Sequence, residues 1–268
     1  MRAVHGSRAG LVQNPSCMRL RLIRHATLLV ELADRCVLVD PMLDPAGARP
    51  PVADTANERR NPLVELPEPA ELIVRNLDAV LVTHLHADHL DETAVDLLAK
   101  DVPLLCQPPD EGVLRDRGFT DVRPVATTAE LDGVTVTRTG GRHGTGEIAD
   151  MLAPVSGFVL SAAGEPTIYL AGDTVWCDEV AAALDEHAPA VVVVNAGGAR
   201  FTEGDPITMT DSDVAAVAAH APGARVVAVH LEAINHCLQT RADMHQRLRE
   251  AGLQDRVTVP EDGALVPV

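Results

Sequence analysis

The chain has 268 residues, 46% of them hydrophobic, which is enough to bury a sizeable core and excludes a disordered or fibrous polymer. Its formal net charge of −17 repels polyanions, so nucleic acid is not an expected partner. Only three Phe, one Tyr and one Trp interrupt an otherwise aliphatic apolar set, a composition that suits sheets covered by helices.

No apolar run approaches the roughly 20 residues of a membrane span. No apolar stretch follows Arg2 and Arg8 as a secretion leader requires. The five cysteines, Cys17, Cys36, Cys106, Cys177 and Cys237, are scattered and form no CxxC pair, which reads as reduced thiols in a cytoplasmic protein. Patterned sequence starts at Met18. Residues 1–17 are therefore expected to be a disordered N-terminal extension, and residues 18–268 a single domain.

Strands are predicted at Leu20–Ile23, Leu28–Leu32 and Cys36–Val39, the last ending at Asp40-Pro41. From Pro41 to Pro69 seven prolines rule out a regular helix or central strand, leaving a loop over an active site or a solvated connector. Ala79–Thr83 is a short buried strand, and Asp91 then caps a helix expected to reach about Lys100. Further strands are predicted at Leu104–Cys106, Val134–Arg138, Gly157–Ser161 and Thr167–Ala171. A helix over Glu179–His187, a strand over Val191–Val194 and a turn at Gly197-Gly198 follow. Thr210 with Asp213 is a capping pair for a helix ending at His220. The strand Arg225–Val229, a helix near Arg241–Ala251 and a strand at Val257–Val259 close the chain. Two β-rich halves, each with its own helices, make an α+β protein, a four-layer αβ/βα sandwich.

The chemistry concentrates in the run T-H-L-H-A-D-H-L, with His84, His86, Asp88 and His89. Imidazole nitrogens and carboxylates are the natural ligands of zinc-like divalent ions. Residues two apart on an extended segment point the same way, so His84 and His86 share a side, while Asp88 and His89 enter a turn and can face a second ion. Downstream, His143 follows a strand in a Gly-rich segment, Asp173 follows another in A-G-D-T, and His230 ends the strand VVAV. Taken singly, these would read as a surface histidine, a helix cap and a core histidine. Their shared position at strand ends, in order after the cluster, makes each a candidate ligand.

The pattern HxHxDH, then His, then Asp, then His, each at a strand end, resembles the metallo-β-lactamase superfamily across residues 18–268. The resemblance implies a metallo-β-lactamase fold in which His84, His86 and His143 bind one metal, Asp88, His89 and His230 bind the other, and Asp173 bridges them. The opening RHATLLVEL and VLVDP also resemble the branch that includes L-ascorbate-6-phosphate lactonase. His236, six residues beyond His230, competes for the last ligand position; His230 is preferred because it sits where the strand stops. Some lactonases of the superfamily carry a Tyr three residues after the bridging Asp, where this chain has Trp176, which cannot transfer a proton as a phenol does. A histidine at position 86, where diiron members carry Glu, favours hydrolysis. Two divalent ions are expected, zinc first, manganese or iron as alternatives.

The mechanism this implies is attack by a hydroxide held between two cations about 3.5–4 Å apart on a lactone, ester or phosphoester. Asp88 and Asp173 are its expected catalytic residues. The expected partner is a small molecule. Arg59 and Arg60, in the proline-rich loop, are candidates for holding an anionic group, and otherwise solvated arginines. Asn195 and the glycine turn beyond it are candidates for presenting backbone N–H groups to an anion. Trp176, Phe201 and His25 are candidate pocket walls, or otherwise ordinary packing. His236, if not a ligand, is a candidate for supporting the ligands or touching substrate. A homo-oligomer is a candidate assembly. The alternatives are a mononuclear iron oxygenase or thiol-dependent hydrolase of the same fold, and a non-catalytic metal-binding protein.

Overall fold

The computed structural model describes residues 18–268; the expected N-terminal extension, residues 1–17, lies outside them. The first half runs β1 (Arg19–Arg24), β2 (Thr27–Leu32), β3 (Arg35–Val39), α1 (Ala70–Ile73), β4 (Ala79–Val82), α2 (Glu92–Leu97), β5 (Leu104–Cys106), α3 (Glu111–Asp116) and β6 (Val122–Pro124). The second runs β7 (Thr128–Leu131), β8 (Val134–Thr139), α4 (Gly146–Leu152), β9 (Gly157–Ala162), β10 (Ile168–Leu170), α5 (Asp178–His187), β11 (Val191–Asn195), α6 (Asp211–His220), β12 (Arg225–Val229), α7 (Arg241–Glu250), β13 (Val257–Thr258) and β14 (Leu265–Val266).

The strands form two seven-stranded sheets, ordered β14-β1-β2-β3-β4-β5-β6 and β13-β12-β11-β10-β9-β8-β7. Both are built on one plan. Four strands on one side of each sheet pair antiparallel, β14-β1-β2-β3 and β7-β8-β9-β10, and the rest pair parallel through helices: β3 to β6 in one sheet, β10 to β13 in the other. Parallel strands covered on both faces need apolar side chains throughout, and β4 (AVLV) and β11 (VVVVN) have them. Alternation then sorts these residues. Ala79, Leu81, Val191 and Val193 face the core between the sheets, with Leu22, Phe158 and Val229. Val80 and Val82 face a second core under α2 and α3, and Val192 and Val194 face a third under α5 to α7. This is the expected αβ/βα sandwich.

Several boundaries differ from the sequence expectation. Asp91 does cap α2, accepting Ala94 N–H, but Leu98 is already extended, so the helix stops short of Lys100. The C-terminal strand is Val257–Thr258, and β14 returns to pair with β1. The proline-rich stretch has no helix or strand before α1, only a bridge between Arg49 and Asn61. It is nonetheless firmly anchored. Buried Arg24 donates to the carbonyls of Val64, Met42 and Asp44, and buried Asn235 bonds Val52, Thr55, Asn57 and Asn61. The solvated-connector reading is thereby replaced. Free backbone groups inside a fold need partners, and these two side chains supply them.

The parallel arrangement decides where the chemistry sits. Asp40 follows β3, His84 lies just past β4, Asp173 just past β10, Asn195 ends β11 and His230 follows β12, all on one edge of the sandwich, the edge on which parallel sheets usually bind ligands.

Candidate metal centre

After β4 the chain folds back sharply. His89 and Leu90 both donate backbone N–H to the His86 carbonyl, which returns Asp88 and His89 toward the strand ends. Asp173 is delivered over Gly172, whose φ of +68° and closeness to the Ser156 carbonyl (2.7 Å from an added Cβ) exclude any side chain. Gly197 makes room for the His230 loop in the same way, since a Cβ there would lie 2.2 Å from the His230 carbonyl.

Two clusters result. His84, His86, His143 and Asp173 form one, and His25, Asp88, His89 and His230 the other; in each, one ligand atom per residue lies within 4.8 Å of all the rest. The Asp173 carboxylate reaches both. Its Oδ2 is 3.3 Å from His143 Nε2 and 3.3 Å from His89 Nε2, and its Oδ1 is 3.3 Å from His230 Nε2. Asp88 Oδ2 lies 3.6 Å from His230 Nε2 and 4.0 Å from His89 Nε2. Ligand atoms bonded to one tetrahedral ion at about 2.0–2.1 Å stand about 3.3–3.4 Å apart, so this is the spacing of a ligand shell.

The outer nitrogens reinforce this reading. His89 Nδ1 donates to Asp40 Oδ2 (2.8 Å), His143 Nδ1 to the Ile207 carbonyl (2.7 Å) and His84 Nδ1 to Thr83 Oγ1 (3.1 Å), while His230 Nδ1 contacts Cys237 Sγ at 3.4 Å. With an ion bound, the contacts of His84, His89 and His143 would favour the tautomer whose Nε2 lone pair faces inward. Among the described residues, His89 Nε2 and His230 Nε2 are buried without a hydrogen-bond partner. An unsatisfied buried polar atom costs about 1–3 kcal/mol, so convergent ones call for a ligand. The residues fit a pair of divalent cations.

The electrostatics fit as well. Burial alone would push the Asp173 carboxyl up, but His230, His89 and His143 outweigh it and hold the group well below the usual carboxylate range. Asp88 is held low in the same way by His89, His230 and His25. Burial, then neighbouring His89, keeps His84 neutral, and burial also lowers His86. His230 is pushed up to about 10: burial opposes its charge, but Asp173, Cys237 and Asp88 prevail.

Over the clusters lies a cavity of about 240 Å³. Its walls are mainly apolar, with Val52, Leu152, Phe201, Ile207 and Ile234, and His86, Asp88, His143, Asp173 and His236 line it too. All seven ligands expected from sequence are thus brought together. His230 stands in a cluster, and His236 lines the cavity outside both. Phe201 is a wall, as expected. Trp176 is not: it packs on the outer core beside the His220 ring, 5.4 Å away. Arg59 and Arg60 are exposed and do not line the cavity, because Arg60 is spent on the Gly47 and Ala48 carbonyls. The cavity's cation is Arg49, paired with Asp44 at 2.8 Å. Asn195 donates its side-chain amide to the Asp173 carboxylate, Oδ1 at 2.6 Å, and Gly198 N–H is taken by the Met209 carbonyl, so neither is free for a substrate anion.

Two residues escaped the sequence reading. Asp40 accepts from Thr83 N–H, Thr83 Oγ1 and His89 Nδ1, and its only sequence signal is an Asp-Pro closing a strand. His25, expected as a wall, contacts Asp88 and His230 instead.

A family model described as a β-lactamase superfamily domain matches residues 35–231. The UPF0173 protein YddR of Bacillus subtilis (strain 168) is 34% identical over 249 residues, 92% of this chain and 98% of that protein. Among solved structures, a possible metal-dependent hydrolase from Veillonella parvula DSM 2008 superposes with a TM-score of 0.91 at 34% identity, covering 94% of this chain and 100% of that one. An isothiocyanate hydrolase from Delia radicum gut bacteria superposes with a TM-score of 0.89 at 36% identity, covering 94% and 99%.

Proposed function

The chain belongs to the β-lactamase superfamily as a metal-dependent hydrolase, and from that premise we propose that it holds two divalent cations, zinc in the first place, and hydrolyses a small, largely apolar molecule at an electrophilic carbon. An isothiocyanate is the first candidate substrate, with lactones and simple esters next. The observation that carries this reading is the cavity. It is small and mostly apolar, and the charge of its single guanidinium, Arg49, is already paired with Asp44, although Arg49 Nε and Nη2 make no hydrogen bond. A phosphoester dianion wants several uncompensated donors, whereas a neutral molecule wants an apolar sleeve with a polar floor. The 36% identity to an isothiocyanate hydrolase over nearly the whole chain supports the same choice.

His84, His86 and His143 would hold one cation, Asp88, His89 and His230 the other, and Asp173 would touch both. Bound there, the cations supply Lewis acidity and bring water toward neutral ionisation. The chain's own contribution is placement. Val52, Leu152, Phe201, Ile207 and Ile234 exclude bulk water and seat the apolar body. Asp88, kept ionised by its histidines and 15% exposed toward the cavity, takes the proton of the attacking water. For an isothiocyanate, the water oxygen adds to the central carbon and one of its protons goes to nitrogen, giving a thiocarbamate. The remaining carbon–nitrogen bond then breaks as the second proton passes from oxygen to the leaving nitrogen, which yields an amine and carbonyl sulfide.

The test combines plasma mass spectrometry of the purified protein with turnover of benzyl isothiocyanate, a γ-lactone and p-nitrophenyl phosphate. Two ions per chain and a kcat/KM for either carbon substrate at least about tenfold above the phosphate support the proposal. One iron per chain, or turnover of the phosphate alone, overturns it.

A further inference from the structure

His25 sits in the β1–β2 turn with φ of +62°, a conformation a non-glycine residue holds only when its surroundings insist. Three contacts do so. His25 Nε2 lies 3.1 Å from Asp88 Oδ2, its backbone carbonyl accepts the His230 N–H at 3.0 Å, and its ring lies on the His230 ring with centroids 3.6 Å apart.

His25 belongs to a four-residue cluster compact enough to hold an ion, so it competes for the role of ligand. Ring spacing argues against that role. An imidazole centroid stands about 3.2 Å from an ion bound at about 2.0–2.1 Å, so rings 3.6 Å apart would subtend only about 70° at a shared ion, tighter even than the 90° of an octahedral pair. The His89–His230 and His86–His143 rings, at 5.5 and 5.3 Å, subtend about 110–120°, as tetrahedral ligands do, and the closer His84–His86 pair, at 4.3 Å, still subtends about 85°, so the His25–His230 pair is the tightest of them. His25 Nε2 also has no contact within 4.0 Å of Asp173, unlike the inward nitrogens of His89, His143 and His230.

We propose that His25 is a positioning residue, not a ligand: its Nε2–H donates to Asp88 Oδ2, and its ring and carbonyl fix His230, so that one turn sets two of the three residues assigned to the second cation. This rests on the two-cation reading above. The arrangement serves a purpose. Asp88 is the carboxylate of that cluster that faces the cavity, and without a second tether it would be free to swing toward substrate.

The test compares His25→Gln with His25→Met. Both side chains are unbranched and of similar length, so the backbone strain is shared, but only Gln can donate where the imidazole Nε2 does. Parent and variants are loaded with zinc and challenged with a chromogenic chelator, and release of each ion is timed. Thermal unfolding of the metal-free proteins reports structural damage separately. Two-phase release is expected. In the Met variant one phase should be about 10–100-fold faster than in the parent and the other unchanged, with Gln within about threefold of the parent and the metal-free variants melting together. Equal acceleration in Gln and Met, or none in either, overturns the proposal while the parent still holds two ions. Loss of one ion outright in both variants overturns it in favour of ligation. A parent that retains no zinc fails the two-cation reading itself, and this inference falls with it.

Discussion

The two histidine clusters use the same residue types but are braced differently. In the first, the outer nitrogens of His84 and His143 rest on a hydroxyl and a backbone carbonyl, and His86 and His143 line the cavity. In the second, His89 leans on the Asp40 carboxylate, His230 on Cys237, and Asp88 on His25; of its members only Asp88 reaches the cavity. The first cluster is therefore arranged for access to substrate, the second for retention. A carboxylate behind a histidine raises its basicity and fixes its orientation more strongly than a carbonyl does. The buried cluster is accordingly expected to hold its cation more tightly.

The largest test of this contrast removes what the clusters share. Asp173→Ala should lose both cations on dialysis and reduce kcat/KM by about a thousandfold or more, read by plasma mass spectrometry and steady-state kinetics. A variant that keeps both ions and most activity would leave Asp173 without a bridging role. A smaller and one-sided effect is expected of Asp40→Asn. The amide offers one acceptor where Asp40 serves Thr83 N–H, Thr83 Oγ1 and His89 Nδ1, so affinity for one cation should fall about 10–100-fold while the other is kept, as equilibrium dialysis with zinc would register. Equal weakening of both would erase the distinction between the clusters.

The smallest expected effect is in protons. In the metal-free chain the His230 ring is held charged up to about 10, against burial, by Asp173, Cys237 and Asp88. Because this pKa is raised, the stabilisation from the charged ring is complete below about 6.5 and is lost as pH rises through about 10. Between those limits an incoming cation must displace the proton. Zinc titrations at pH 7.5 in buffers of differing ionisation enthalpy should therefore show release of about one proton or more per chain, fading above pH 10. Buffer-independent heats at pH 7.5 would mean that His230, and His89, whose charge burial opposes but Asp173, Asp40 and Asp88 favour, are already neutral.

Much of this centre was legible along the chain. His84, His86, Asp88 and His89 announce themselves by local spacing, and His143, Asp173 and His230 by falling where apolar runs stop. The capping pair Thr210–Asp213 was equally plain, because caps are contacts between residues three apart, and a second pair, Thr240–Asp243, follows the same rule. Nothing in the sequence pattern marks the short helices α1, α3 and α4. α4 has no buried residue, hence no apolar face for periodicity to reveal.

What the amino-acid order determined by itself was most of the strands (β6, β7 and β14 excepted), the residues at their ends and the metal-binding character of those residues, since all of these depend on neighbours in the chain. Only the tertiary structure decided that Arg49 and not Arg59 or Arg60 stands at the cavity, that Phe201 is a wall and Trp176 is not, and that Asp40 and His25 brace the second cluster. Those contacts join residues far apart in sequence, such as His25 with Asp88 and His230, and exist only because the parallel strands of two sheets end on one edge and the proline-rich loop is tied across it by Arg24 and Asn235. Strand-end positions follow from a period of two residues, but which ends meet follows from sheet order and loop path, and no local pattern encodes either.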